Sequence, residues 1–201
     1  MADDTRSRLL EAAVDAIDAG GEAAVSVETI AKAAGVSAPT IYNHFRNRDA
    51  LVAEAQAQRF DRQLGRDFDA IAGLVATIET REQLVEISTF FLDFMLDPER
   101  SAMRMDRMSA IGSAIGRPEL ADLLAAKFVA LCVRFAGVLQ PLQEKGIVRA
   151  DLDLVAFAAW FTGSVTGRLF IEFQRTPIDS EAWNRIFRDA VLGAVLPPAE
   201  A

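Results

Sequence analysis

The chain has 201 residues, 51% of them hydrophobic and 25% charged, which suits one ordinary domain with a small appended one and excludes a disordered chain. Its net charge of −8 excludes an indiscriminate polyanion binder, because bulk attraction to phosphate needs an excess of Lys and Arg. One cysteine, Cys132, excludes an internal disulfide and, in its apolar setting of Val129, Ala130, Leu131 and Val133, reads as a buried structural thiol. The polar, acidic start Met1-Ala2-Asp3-Asp4-Thr5-Arg6 lacks the pattern of a secretory signal. The longest uncharged stretch, Leu154 to Gly167, is shorter than the ~20 apolar residues of a membrane span. A cytoplasmic protein with no membrane partner is expected.

Helical signals follow one another along the chain. Leu10, Ala13, Val14 and Ile17 recur at helical spacing, predicting a first helix from about Thr5 to Ala19 that Gly20-Gly21 stop. Ser26 can cap a short second helix whose inner face is Val27, Ile30, Ala31 and Ala34. Gly35 suits a positive-φ turn, and Ser37 can cap a third helix with Pro39 in its first turn. A long helix starts near Asn47, with Leu51, Ala55, Phe60, Leu64, Phe68 and Ile71 as its buried set. Further helices are predicted over about 81–96, with a Thr80/Gln83 capping box, then 98–111, 118–145, 152–174 and 180–195. Breakers such as Asp97-Pro98, Lys145-Gly146 and Thr176-Pro177 separate them. The expected fold is all-α, about nine helices, with a three-helix head joined by one long helix to a larger helical body.

Ser26 to Phe45 has the layout of a helix-turn-helix: two short helices, small residues where they cross, and a glycine in the turn. At ~100° per residue, Ile41 and Phe45 share one side of the third helix, and Pro39 and Asn43 lie opposite. That outer face carries hydrogen-bonding and apolar groups without a carboxylate, as a major-groove reader requires. Asn43 can pair with adenine, while Ala38 and Pro39 can meet a thymine methyl. Thr40, Tyr42, His44 and Arg48 are placed to hold phosphates, and Ser37 adds backbone N–H groups at the helix start. With Ser26, these residues form the candidate DNA-facing set. Lys32, Arg46 and Arg48 are the only charged residues between Ala31 and Arg48, a local island of +3 in an acidic chain.

The run IAKAAGVSAPTIYNHFRNRDAL, Ile30 to Leu51, resembles the N-terminal signature of the TetR family of bacterial one-component regulators. The resemblance implies that Ser37 to Asn43 is the recognition helix, and that Tyr42, His44 and Arg48 touch the DNA backbone. Two positions depart from the family pattern. Arg48 stands where lysine is more usual, and Glu28 stands where a polar or basic DNA contact is frequent. Glu28 reads instead as a first-turn carboxylate that stabilises the second helix through its dipole.

The one histidine, His44, lies inside this motif, where it is either a phosphate contact or a helix-end packing residue. The body therefore has no histidine for a Ser-His-Asp or Cys-His centre, a His-rich zinc site or a Glu-x-x-His di-iron pair. No catalytic residue, metal or cofactor is expected. Phe90, Phe94, Met103, Met108, Phe128, Phe135, Trp160 and Phe161 are candidates for lining an apolar ligand pocket, with Ser164 or Thr162 as a polar handle. Plain core packing is the alternative for each of them.

The segment 152–174 is apolar on nearly all sides, so it must be covered twice. One stripe is Val155, Ala159, Thr162 and Thr166, and another is Leu154, Ala158, Phe161, Val165 and Leu169. The resemblance implies that the first stripe, with Trp183, Phe187 and Val191 of the last helix, forms a four-helix homodimer interface. The expected division is a DNA-binding domain over 1–46 and a ligand-binding and dimerisation domain over 47–201. The expected function is a repressor that binds a near-palindromic double-stranded operator as a homodimer and is released by a small hydrophobic ligand. An activator on the same scaffold is one alternative. A helical carrier of hydrophobic molecules with a degenerate head is another, because residues 1–50 hold five basic against eight acidic residues.

Overall fold

A computed structural model of the protein describes residues 2–65, 68–172 and 178–197, with only the backbone of 2, 3, 62–65, 69 and 70. The side chain of Leu64 and the breaker Thr176-Pro177, both named above, lie outside what is described. The chain divides into two compact units, residues 1–63 with 109–125, and residues 64–108 with 126–201.

The first unit opens with α1 (Ala2–Gly20), followed by a 3-10 turn (Glu22–Ala24), α2 (Val27–Ala34), α3 (Ala38–His44) and α4 (Arg48–Gly65). Leu9, Ala13, Val14 and Ile17 of α1 pack with Ile30, Ala31, Ala34, Ile41, Phe45, Leu51, Val52 and Ala55 in one core. The helical head therefore extends past residue 46, because the first two turns of α4 are buried in it. Arg8 fastens α1 to α2 by donating Nη1 to the Ala34 carbonyl at 3.2 Å, satisfying an acceptor at the helix end. Arg6 joins α1 to α4 through an ion pair with Glu54, and its guanidinium also sits 5.1 Å from the Phe45 ring centre.

The second unit contains α5 (Phe68–Val75), α6 (Arg81–Leu96), most of α7 (Ser101–Ser113), most of α8 (Pro118–Glu144), α9 (Leu154–Gly167), α10 (Leu169–Glu172) and α11 (Ser180–Val195). Thr80 and Gln83 form the expected capping box, and Asp153 caps α9 by accepting from Val155 N at 3.0 Å and Ala156 N at 2.9 Å. The core gathers Leu84, Leu92 and Leu96 with Leu139, Leu142, Phe157, Phe161, Val165, Phe187 and Val191. Cys132 is buried, and burial pushes its thiol pKa up, consistent with an inert packing role.

The long helix expected from Asn47 is described as α4 up to Gly65 and as α5 from Phe68, and residues 66 and 67 between them lie outside the described residues. Within the expected helix 152–174, Arg168 is a turn residue with φ −55° and ψ −25° between α9 and α10, and residues 173 and 174 lie outside the described residues. Leu154–Glu172 is long and apolar enough to cross a membrane by length and composition, more so than the uncharged count suggested. Half of it is buried in the protein, with Phe157, Ala158, Phe161, Val165 and Leu169 as its core face.

Candidate nucleic-acid interface and effector region

The turn between α2 and α3 is built from local rules. Ser26 caps α2, accepting from Thr29 N at 3.0 Å. Gly35 closes it at φ 67° and ψ 35°, the left-handed region that other residues enter only at a cost. Gly35 N donates to Lys32 O at 3.3 Å and Val36 N to Ala31 O at 2.9 Å, a Schellman pattern. Ser37 precedes α3 but does not cap it with its side chain; its hydroxyl pairs with Thr40 Oγ1 at 2.8 Å instead.

On α3, Ile41 and Phe45 are fully inside, while Ser37, Pro39, Asn43 and Tyr42 are exposed, Tyr42 by 58%. Thr40 and His44 are half-buried, and Ala38 packs partly against the core, which limits what it can offer a base edge. Glu28 is exposed in the first turn of α2, and Lys32 is exposed near its end.

Arg48 has a second occupation. Its Nε donates to Val25 O at 2.7 Å, its Nη2 donates to Glu22 O, and its Nη1 reaches Asp49 Oδ1 at 3.2 Å. It ties the start of α4 to the turn that leads into α2, so a phosphate must compete with bonds already made.

Glu22, not foreseen as important, anchors the same turn. It accepts from Gln56 Nε2 at 2.9 Å, from both Arg117 terminal nitrogens at 3.0 and 2.7 Å, and from the Ser113 hydroxyl. Burial works to raise the carboxyl pKa, but the hydrogen bonds from Arg117, Ser113 and Gln56 and the Arg117 charge outweigh it and hold it at about 2.

The eight apolar residues considered for a ligand pocket and the handle Ser164, nine in all, fall into three situations. Phe161 is buried and Phe135 half-buried, 5.5 Å apart between ring centres, in an aromatic cluster that includes Phe91, Phe157 and Phe187. Phe90, Phe94 and Trp160 reach the surface, and Arg100 lies 3.8 Å over the Phe94 ring. Met103, Met108, Phe128 and Ser164 are half-buried. A groove of about 460 Å³ opens elsewhere in the second unit, lined by Gln140, Gln143, Glu144, Leu152 and Val155, and contains none of the nine.

The residues expected at a dimer interface also separate. Val155 is exposed, and Ala159 and Trp183 are half-buried. Thr162, Thr166, Phe187 and Val191 are buried within the single chain. Phe187 is enclosed by its own aromatic neighbours, with Trp183 at 5.2 Å and Phe161 at 5.7 Å, so a partner would meet the adjoining face instead. Among the large apolar residues of α9 and α11, Val155, Trp160 and Ile186 are exposed, by 42, 44 and 68%. The sequence also gave no weight to four buried polar groups between α7 and α11: Arg104, Arg107, Arg168 and Asn184. Two arginines three apart in the methionine-rich α7 were the available signal.

Comparison with known proteins agrees with this architecture. A family signature described as "Bacterial regulatory proteins, tetR family" matches residues 9–55, from α1 into α4. The HTH-type transcriptional regulator BetI of Stenotrophomonas maltophilia (strain R551-3) is 30% identical over 175 residues, covering 82% of this chain and 84% of BetI. A crystal structure described as a TetR-family transcriptional regulator from Mesorhizobium loti MAFF303099 superposes with a TM-score of 0.72 at 19% identity, covering 98% of this chain and 99% of that one. FadR from Bacillus subtilis, solved in complex with stearoyl-CoA, superposes at 0.57 with 18% identity, covering 94% and 98%. With a helix-turn-helix of the right geometry, the matching signature and a relative of this extent, the chain belongs to the TetR family of bacterial regulatory proteins and is a transcriptional regulator.

Proposed function

We propose that the chain is a cytoplasmic repressor that binds a near-palindromic operator as a homodimer and leaves it when a small, largely apolar effector binds the body. One observation carries the DNA reading: α3 turns Pro39, Tyr42 and Asn43 to solvent with no carboxylate on the helix, while Ile41 and Phe45 fix it to the core. Asn43 reads a base, and Ser26, Ser37, Thr40, Tyr42 and His44 set register on phosphates. In functional terms, residues 1–46 together with Arg48 bind DNA, and the rest of 47–201 binds the effector and the second copy. A two-fold operator needs two heads, and the exposed large apolar residues Val155, Trp160 and Ile186 on α9 and α11 support the second copy.

The effector reading rests on the aromatic and methionine-rich body and on the likeness to a fold that in B. subtilis FadR holds stearoyl-CoA. A gel shift with the intergenic DNA beside the protein's own gene tests the proposal. A retarded band that competitor DNA of unrelated sequence does not abolish is the expected result. Binding to no member of a random duplex pool would overturn it in favour of a carrier.

A further inference from the structure

The second unit holds three buried guanidinium groups, of Arg104, Arg107 and Arg168, and among the described residues the carboxylate paired with any of them is that of Glu172. Arg104 is 3% exposed and fully engaged: its Nε donates to Glu172 Oε2 at 3.0 Å, and Nη1 and Nη2 donate to the Met95 and Asp97 carbonyls at 2.9 Å. Arg168, also 3% exposed, pairs with the same Glu172 and donates Nε to Asn184 Oδ1 at 3.1 Å. Glu172 is thus shared between two arginines. Arg107, one helical turn beyond Arg104 on α7, is 5% exposed and has no share in it.

Its hydrogen bonding is meagre. Nη1 donates to Thr166 Oγ1 at 3.3 Å, and Nε is buried with no partner. Burial and the neighbouring Arg104 charge lower the Arg107 pKa to about 10, so it stays protonated at neutral pH. An unpaired buried cation is costly, and an arginine that only filled space could be replaced by a methionine with profit. Such a group, with a planar fork suited to two carboxylate oxygens, is complementary to an anion that is not part of the chain. Met103 and Met108 flank Arg107 on α7, and flexible thioether side chains can give way to an apolar body.

We infer that Arg107 is the anchor for a carboxylate on the effector, with Thr166 beside it, so that the ligand class is an apolar monocarboxylate rather than a neutral or cationic molecule. This rests on the effector reading above and narrows it. The test is calorimetry and thermal shift on the full chain with hexanoate, decanoate and benzoate. Hexanol, decanol, benzyl alcohol and decyltrimethylammonium serve as controls, each with wild type, Arg107→Met and Arg107→Lys.

At least one carboxylate should bind wild type about tenfold or more tightly than its alcohol, the size expected of one charge-assisted pair. Arg107→Met should reduce that preference to within about twofold, leave Arg107→Lys intermediate, and raise or maintain the melting temperature of the ligand-free protein, since it removes an unpaired charge. Equal binding of alcohol and carboxylate would overturn the inference and leave the effector reading standing. A carboxylate preference that survives in Arg107→Met would overturn the anchor. Absence of any Arg107-dependent stabilisation by the three carboxylates, with a lowered melting temperature for Arg107→Met, would make the arginine structural and overturn it too.

Discussion

Arg117 grips Glu22 with both ends of its fork, Nη2 to Oε2 at 2.7 Å and Nη1 to Oε1 at 3.0 Å, and so joins the start of α8 to the turn before α2. The Glu22 carboxyl is depressed from 4.5 to about 2 in the folded chain. A depressed carboxylate stabilises the fold above its unfolded pKa and loses that contribution as pH falls, here between about 4.5 and 2. For a group that is 23% exposed the contribution is about 2 kcal/mol after solvent screening. Glu22→Gln should therefore lower stability by about that much at pH 7 and by far less at pH 2.5. Chemical denaturation at the two pH values checks it, and an equal loss at both would contradict the ion-pair account.

Arg48 and Asn43 should behave differently under alanine substitution. Asn43 is exposed and makes no side-chain hydrogen bond among the described residues, so Asn43→Ala should relax base preference at one position per half-site, costing about 1–3 kcal/mol, with stability unchanged. Arg48 bonds the Val25 and Glu22 carbonyls, so Arg48→Ala should weaken every sequence alike and also destabilise the head by about 1–3 kcal/mol. Binding to a randomised operator pool beside a melting curve separates the two. An Arg48→Ala protein with an unaltered melting curve would show that the arginine serves DNA alone.

Gly35 tests the turn. Space around its missing Cβ is open, so only its φ of 67° resists substitution. Gly35→Ala should cost about 1 kcal/mol, and Gly35→Asn less, because asparagine tolerates the left-handed region. Equal losses would mean that something other than backbone strain selects glycine there.

The dimer is best challenged at Ile186, which is 68% exposed, beside Phe187, which is 5% exposed. Ile186→Glu should give folded monomers that no longer bind the operator. Phe187→Glu should unfold the protein, because it buries a charge among Phe157, Trp160 and Phe161 neighbours. Sedimentation with circular dichroism distinguishes these outcomes. A wild type sedimenting at the single-chain mass of 21.9 kDa in micromolar solution would refute dimerisation.

The head was legible in the sequence because its determinants are local. Ser26, Gly35 and Pro39 act on backbone within a few residues of themselves, and Ile30, Ile41 and Phe45 repeat at the helical period that sets an inner face. Helix positions in the body were legible for the same reason, from Thr80 with Gln83 to the run closed by Val195. Tertiary structure decided which side of each body helix is inside. Periodicity gives α9 two equivalent apolar stripes, and only the packed structure shows Thr162 and Thr166 buried, with Thr166 accepting from Arg107 of α7. Ile186 and Phe187 are one residue apart, and only the rings of α9 determine that the second is enclosed. The buried arginines were hidden most completely. A charged residue is read as surface until a partner from a distant helix, such as Glu172 for Arg104 across 68 positions, makes its burial affordable.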